Sequence, residues 1–189
     1  MIHYDIWGAY RVSSLCGAQY FLTIVDEASR ATWVYLMREK GEALTLLQNF
    51  VIMVQTQFRR DVKIILSDNG LEFLSGSTKQ FYLQKDIIHH TSCTDTPQQN
   101  GRVERKYRHI LNVARALRFR VHLPIDFWGK SVLTMAYLIN RTPSKLLDGN
   151  TPYEVLFNAH LSYDHIKMFE CLCYIHIKPR SKDKFAPRS

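Results

Sequence analysis

The chain has 189 residues, 46% of them hydrophobic and 22% charged, with a net charge of +8 and a sequence pI near 9.4. That length and composition suit one folded domain and exclude a disordered chain; no run is long and apolar enough for a membrane span, and the N-terminus lacks the basic-then-apolar order of a signal peptide. The positive excess points to a polyanionic partner, most simply nucleic acid, with an anionic membrane as the other reading.

The sequence predicts its elements in this order. Ile2–Trp7 is short, apolar and β-prone. Residues 19–26 (QYFLTIVD) and 32–37 (TWVYLM) are strand-like runs joined by E-A-S-R, which reads as a hairpin. From Glu42 the period changes: Ala43, Leu47, Phe50, Val51, Val54 and Phe58 recur at helical spacing. Residues 62–66 (VKIIL) form a short strand cut off by Ser-Asp-Asn-Gly, residues 71–84 a helix strained by Gly76, and residues 87–90 another strand. Residues 93–101 read as a loop. The next helix has two candidate starts, Thr96 with Pro97 in the first helical position, or Asn100. Its apolar face is Val103, Tyr107, Ile110, Ala114, Leu117 and Val121. A second helix spans 126–140, Thr151-Pro-Tyr-Glu154 is a capping box, residues 171–178 look like a last strand, and the end is a basic tail. This order predicts an α/β layer around a mixed central sheet flanked by helices, with residues 1–160 as the core and 161–189 as a C-terminal strand and tail. The four cysteines, Cys16, Cys93, Cys171 and Cys173, form no C-x-x-C pair and read as buried thiols in a reducing compartment.

One acid stands inside a basic run: Glu104 in TPQQNGRVERKYR, residues 96–108. Between Arg102 and Arg120 the helix holds seven Lys or Arg residues and this single carboxylate. At helical spacing Glu104, Arg108, Arg115 and Arg118 share a narrow stripe, which suits a nucleic-acid strand lying along the helix. The plainer reading is a solvated face on which Glu104 pairs with Arg108. Two further acids sit on strands: Asp5 in the first, and Asp68 at the end of VKIIL, where sites form in α/β sheets. Asp68-Asn-Gly is also a plausible simple turn. Taken together, three carboxylates would repel a phosphodiester unless divalent cations sit between. Two Mg²⁺ ions would leave a net attraction for phosphate and could act on both the attacking and the leaving oxygen.

The pieces HYDIWG, YFLTIVDEASRATWVYLM, ILSDNGLEF, TPQQNGRVERK, PIDFWGKSV, YLINRTPS, TPYEVLF and FECLCYIHI run in order through nearly the whole chain, and 35 residues separate Asp68 from Glu104. In these pieces and that spacing the chain resembles the catalytic core of retroviral-type integrases, in particular the copia-type retrotransposon polyproteins of plants. The resemblance implies a ribonuclease H-like fold. It implies Mg²⁺- or Mn²⁺-dependent trimming of element DNA ends by water, then transfer of the 3′-hydroxyl into target DNA, with no organic cofactor and no membrane. It implies Asp5, Asp68 and Glu104 as ligands of two ions, and Asn69, Gln98, Gln99, Asn100 and Gly101 in a site-lining loop. It also implies Arg108 as a DNA contact, a homo-oligomer on element-end and target DNA, and work in the nucleus, with a cytoplasmic particle as the other compartment.

The chain departs from the family at Gly8-Ala9, where Gly-Pro is usual, at Leu71 and at Asp95. The sequence begins just before the first catalytic strand, so the family's zinc-binding domain, protease and reverse transcriptase lie outside it, as in a polyprotein fragment. A catalytically silent relic, or a nucleic-acid-binding module recruited by the host, is the alternative. A ribonuclease H acting on RNA–DNA hybrids is a third reading.

Overall fold

The computed structural model describes residues 1–91 and 97–167, with only the helix course given for residues 97–104. Five strands form one sheet in the order β3-β2-β1-β4-β5: β1 Ile2–Trp7, β2 Tyr20–Asp26, β3 Thr32–Met37, β4 Ile64–Ser67 and β5 Ile88–Thr91. The first three run antiparallel, and β1, β4 and β5 run parallel, so the sheet is mixed as expected. The helices are α1 Ala43–Phe58, α2 Leu71–Leu74, α3 Gly76–Gln84, α4 Pro97–Arg120, α5 Trp128–Ile139 and α6 Pro152–Phe157. Among the described residues no helix is long and apolar enough to cross a membrane.

Alternation along β1 builds two cores. Ile2 and Tyr4 pack with Leu22 and Ile24 against α1, through Leu47, Phe50 and Val51, and against Phe81 of α3. Trp7 and Phe21 point to the opposite face and meet Tyr107, Ile110, Trp128 and Val132 of α4 and α5. His3 and Asp5 share this second face by the same alternation, so Asp5 is a carboxylate on a face otherwise filled by aromatic rings. Trp7 and Phe21 stack with centroids 5.1 Å apart, and the Trp128 indole N–H donates to the carbonyl of Val12 at 2.9 Å. Trp128 is buried in this second core, and Trp33 packs edge-on against Phe50.

Local chemistry explains the departures from the predicted boundaries. The 71–84 helix is two helices, because Ser75 takes an extended conformation and its Oγ caps α3 by accepting from the Thr78 N–H. Gly76 follows as the first residue of α3 and strains nothing. The second predicted helix opens as a 3₁₀ turn, Ile125–Phe127, before α5. The capping box is present: the Glu154 N–H donates to Thr151 Oγ1 at 3.1 Å, and the Thr151 N–H donates to Glu154 Oε2 at 3.0 Å. Asn140, at the end of α5, clasps β3 by accepting from the Thr32 N–H at 2.8 Å and donating to the Thr32 carbonyl at 2.7 Å. The helix after the loop begins at Pro97, so residues 98–101 lie in α4 and not in a loop. Cys16 corrects the cysteine reading, being exposed. The other three cysteines, Asp95, the predicted strand at 171–178 and the basic tail lie outside the described residues.

Gly8 closes β1 at φ +130°, a conformation open to glycine, and a Cβ there would stand 2.7 Å from the Gln19 carbonyl oxygen. Gly8→Ala is expected to destabilise the fold by about 1–3 kcal/mol. Urea unfolding checks this: the midpoint should fall at unchanged slope, and an unchanged midpoint would refute it.

Candidate functional site

β1 and β4 lie side by side, and their parallel register pairs Ile2 with Ile65 and His3 with Leu66. Continued by two residues, that register sets Asp5 beside Asp68, the residue that follows β4. Both carboxylates therefore come to one place on the sheet, at the carboxyl end of β4.

Each is held locally. The Ile6 N–H donates to Asp5 Oδ1 at 2.7 Å. The Gly70 N–H donates to Asp68 Oδ1 at 3.1 Å, the turn that the Asp-Asn-Gly sequence favours. Ser67, buried just before Asp68, donates its hydroxyl to the Asp68 carbonyl at 2.9 Å and also contacts His89 Nε2 at 2.9 Å, tying the strand end to β5. Turn and site are thus the same residues: Asp68 both shapes the turn and presents its second oxygen. Asn69 is exposed in that turn.

Burial pushes the Asp5 carboxyl up to about 7, the negative charge of Asp68 adds to the effect, and Glu72 contributes further. The Ile6 N–H opposes it. Tyr107 of α4 also lies against Asp5. Its phenol oxygen is buried and makes no hydrogen bond of normal geometry, although Asp5 and Thr23 are within its electrostatic reach. Burial, and next the charge of Asp5, hold that phenol far above its usual range. Position 104 stands on α4 one helical turn before Tyr107. The Glu104 side chain lies outside the described residues, as do those of Gln98, Gln99 and Asn100. Among the described residues no group of three or more acidic, histidine or cysteine side chains is assembled for a metal.

Sequence reasoning missed a neighbouring pair. Glu72 stands four residues after Asp68, and its carboxyl flanks Gly70 on one side while Asp68 Oδ1 flanks it on the other: a Cβ on Gly70 would lie 3.0 Å from the first and 3.1 Å from the second. Lys40 Nζ binds Glu72 Oε1 at 2.9 Å, and this bond, with the charges of Glu72 and Asp68, raises the lysine above its usual range. The i, i+4 spacing of Asp68 and Glu72 is visible in SDNGLEF. Lys40 comes from a distant turn and leaves no such signal.

The proposed stripe divides. Arg108 and Arg115 are exposed on α4. Arg118 is partly buried, donates to the Leu123 carbonyl at 3.1 Å and lies over the Phe119 ring, so it ties the end of α4 to the turn that follows.

The integrase core domain family matches residues 1–97. The chain is 34% identical over its whole length to a retrovirus-related Pol polyprotein from transposon TNT 1-94 of Nicotiana tabacum, and 31% identical to those from transposons RE2 and RE1 of Arabidopsis thaliana. It spans 13–14% of the length of these relatives. Among solved structures, it resembles the catalytic core domain of BIV integrase with a TM-score of 0.57 at 18% identity, covering 82% of this chain and 93% of that one. The HTLV-2 integrase catalytic core domain, solved in complex with magnesium, gives 0.59 at 18% identity over 82% and 94%. A chain of a simian T-cell lymphotropic virus intasome gives 0.64 at 17% identity over 94% and 59%. These likenesses show the ribonuclease H-like fold. A mixed sheet with one carboxylate on β1 and another just after the adjoining parallel strand, in a sequence matched over half its length, places this chain in the integrase core domain family.

Proposed function

We propose that the chain is the catalytic core of a DNA-integrating polynucleotidyl transferase encoded within a retroelement polyprotein. It trims element DNA ends and joins them to target DNA. The observation that carries this reading is the Asp5–Asp68 pair, two carboxylates on adjoining strands whose mutual repulsion and burial leave Asp5 reluctant to ionise. Such a pair has an excess of negative charge that a divalent cation neutralises, and its all-oxygen donors suit Mg²⁺ or Mn²⁺. Asp5, Asp68 and Glu104 would hold two such ions. When bound, the ions polarise the attacking oxygen and stabilise the leaving one.

The chain's own residues do the rest. Asp68 is fixed by the Gly70 N–H, so one oxygen is committed to the turn and the other is free to face a ligand. Lys40 neutralises Glu72, which leaves Asp5 and Asp68 as the acids in this cluster without a cationic partner among the described residues. Arg108 and Arg115 give DNA a phosphate track leading to the carboxylates. In trimming, a water oxygen bonds to phosphorus as the bond to the element's 3′-oxygen breaks, and that oxygen takes up a proton. In joining, the freed 3′-hydroxyl attacks a target phosphorus, loses its proton, and displaces the target's own 3′-oxygen. Two ends joined to one target require at least two cores, hence a homo-oligomer acting in the nucleus.

The test is a Mg²⁺ titration read by thermal unfolding and by strand joining on a pre-nicked, branched DNA. At about ten times the dissociation constant, Mg²⁺ should add about 1.4 kcal/mol of stability. Asp68→Asn should lose both this gain and the joining. A chain indifferent to Mg²⁺ in both readouts would overturn the reading. DNA binding should be electrostatic: Arg108→Ala and Arg115→Ala should each lower the salt slope by about one, whereas Arg118→Ala should change it little. Equal slopes for all three variants and the wild type would show that the stripe is a solvated face.

A further inference from the structure

On the flank of α4 away from Arg108 lies a cavity of about 560 Å³. Lys106 and Arg108 are about 200° apart around the helix, so a strand following Arg108 and Arg115 does not pass over it. Its walls are the β2–β3 hairpin, residues 105–109 of α4, the end of α5 and the loop before α6. Arg30, Arg105, Lys106 and His109 line it, and among the described residues no carboxylate does. Glu27, outside the lining, is engaged by His3 and by Arg30 at 3.4 Å. Lys106 has no acidic partner among the described residues. It is partly buried and shares the lining with Arg30. The remaining wall is apolar: Val25 and Ile139 are buried, and Leu146 projects at the lip with 79% of its surface exposed.

Arg30 is paired with Glu27, but holding the partly buried Lys106 ammonium beside it without a carboxylate of its own costs stability, and an anion brought from outside removes that cost. An exposed leucine beside the cations asks for a ligand with an apolar part as well. We propose that this cavity docks an acidic peptide segment of a partner protein, with a carboxylate set on Lys106 between Arg30 and Arg105 and a neighbouring aliphatic or aromatic side chain on Leu146 and Ile139. Charge complementarity selects the acid, and the apolar lip selects a peptide over a nucleic-acid backbone, whose sugars and phosphates would leave Leu146 uncovered. A duplex is too wide and stiff to reach Lys106 inside the cavity. The inference is independent of the carboxylate pair on the other flank.

Panning a random peptide library on the 189-residue chain tests it. Enriched peptides should pair Asp or Glu with Leu, Ile, Val or Phe. Lys106→Gln and Leu146→Asp should each weaken them by about tenfold or more, and Arg108→Ala should not. Leu146 is exposed, so its variant folds even if Lys106→Gln does not. The proposal is overturned if no peptide is enriched, if the enriched set is not acidic, or if Leu146→Asp binds it as well as the wild type. It is also overturned if a single-stranded oligonucleotide displaces the peptides and is itself weakened by Leu146→Asp, which would assign the cavity to nucleic acid.

Discussion

Glu104→Gln should reduce metal-dependent strand joining by several orders of magnitude while leaving the fold intact. Glutamine keeps the size and most of the hydrogen bonding of glutamate but not its charge, and one ligand of a two-ion site is lost with that charge. DNA binding without metal should hold or strengthen, because the acid in the basic run has been removed. A Glu104 that only paired with Arg108 on the helix surface would give the opposite pattern: joining retained, and stability lowered by about 0.3–0.5 kcal/mol. Asp95→Asn is the control, since Asp95 lies off the 35-residue spacing and should be tolerated. Assays on the branched substrate distinguish the cases. Joining lost in Asp95→Asn and kept in Glu104→Gln would show that the third carboxylate has been misassigned.

Asp5→Asn should make the metal-free protein more stable at neutral pH. The Asp5 carboxyl titrates near 4 in the unfolded chain and is raised to about 7 in the fold. Between those values the folded state binds the extra proton, so stability declines as pH rises through that window. The full shift sets a ceiling of about 4 kcal/mol, and water at the partly exposed site reduces the expected gain to about 1–3 kcal/mol at pH 8. Asparagine removes the repulsion with Asp68 while its carbonyl can still accept from the Ile6 N–H. Melting curves in chelator should show the variant above the wild type at pH 8 and level with it near pH 4. Saturating Mg²⁺ should reverse the order at pH 8. A variant less stable than wild type at pH 8 in chelator would mean that Asp5 serves the fold and not a cation.

The strands that bring Asp5 and Asp68 together were legible because their alternation is strong: Ile2–Trp7 and the hairpin are bounded as expected, and VKIIL needed only a small shift to Ile64–Ser67. The pairing of β1 with β4 was implied by family order and not by pattern, since alternation fixes which face a residue takes but not which strand lies beside it. The break at Ser75 was hidden by two short helical patterns in succession, and only the serine's capping role reveals it. Two good caps leave the start of α4 open in the sequence, and the helix begins at Pro97. The stripe of arginines divides, because periodicity cannot tell a guanidinium facing solvent from one folded back onto Leu123. Lys40 was invisible for the same reason: it reaches Glu72 across 32 residues of sequence, and no local rule links them.

The central place of β1 in the sheet governs when the site can exist. Asp5 is made first and can join β2 at once, yet its partner carboxylate arrives on β4 only after α1 has been threaded across the sheet. Closing that long loop is a late, entropically costly event. A nascent or clipped chain that ends before β4 has a hairpin, a helix and Asp5 without its partner carboxylate. Under the proposed function, competence to break DNA is thereby withheld until the parallel half of the sheet has docked.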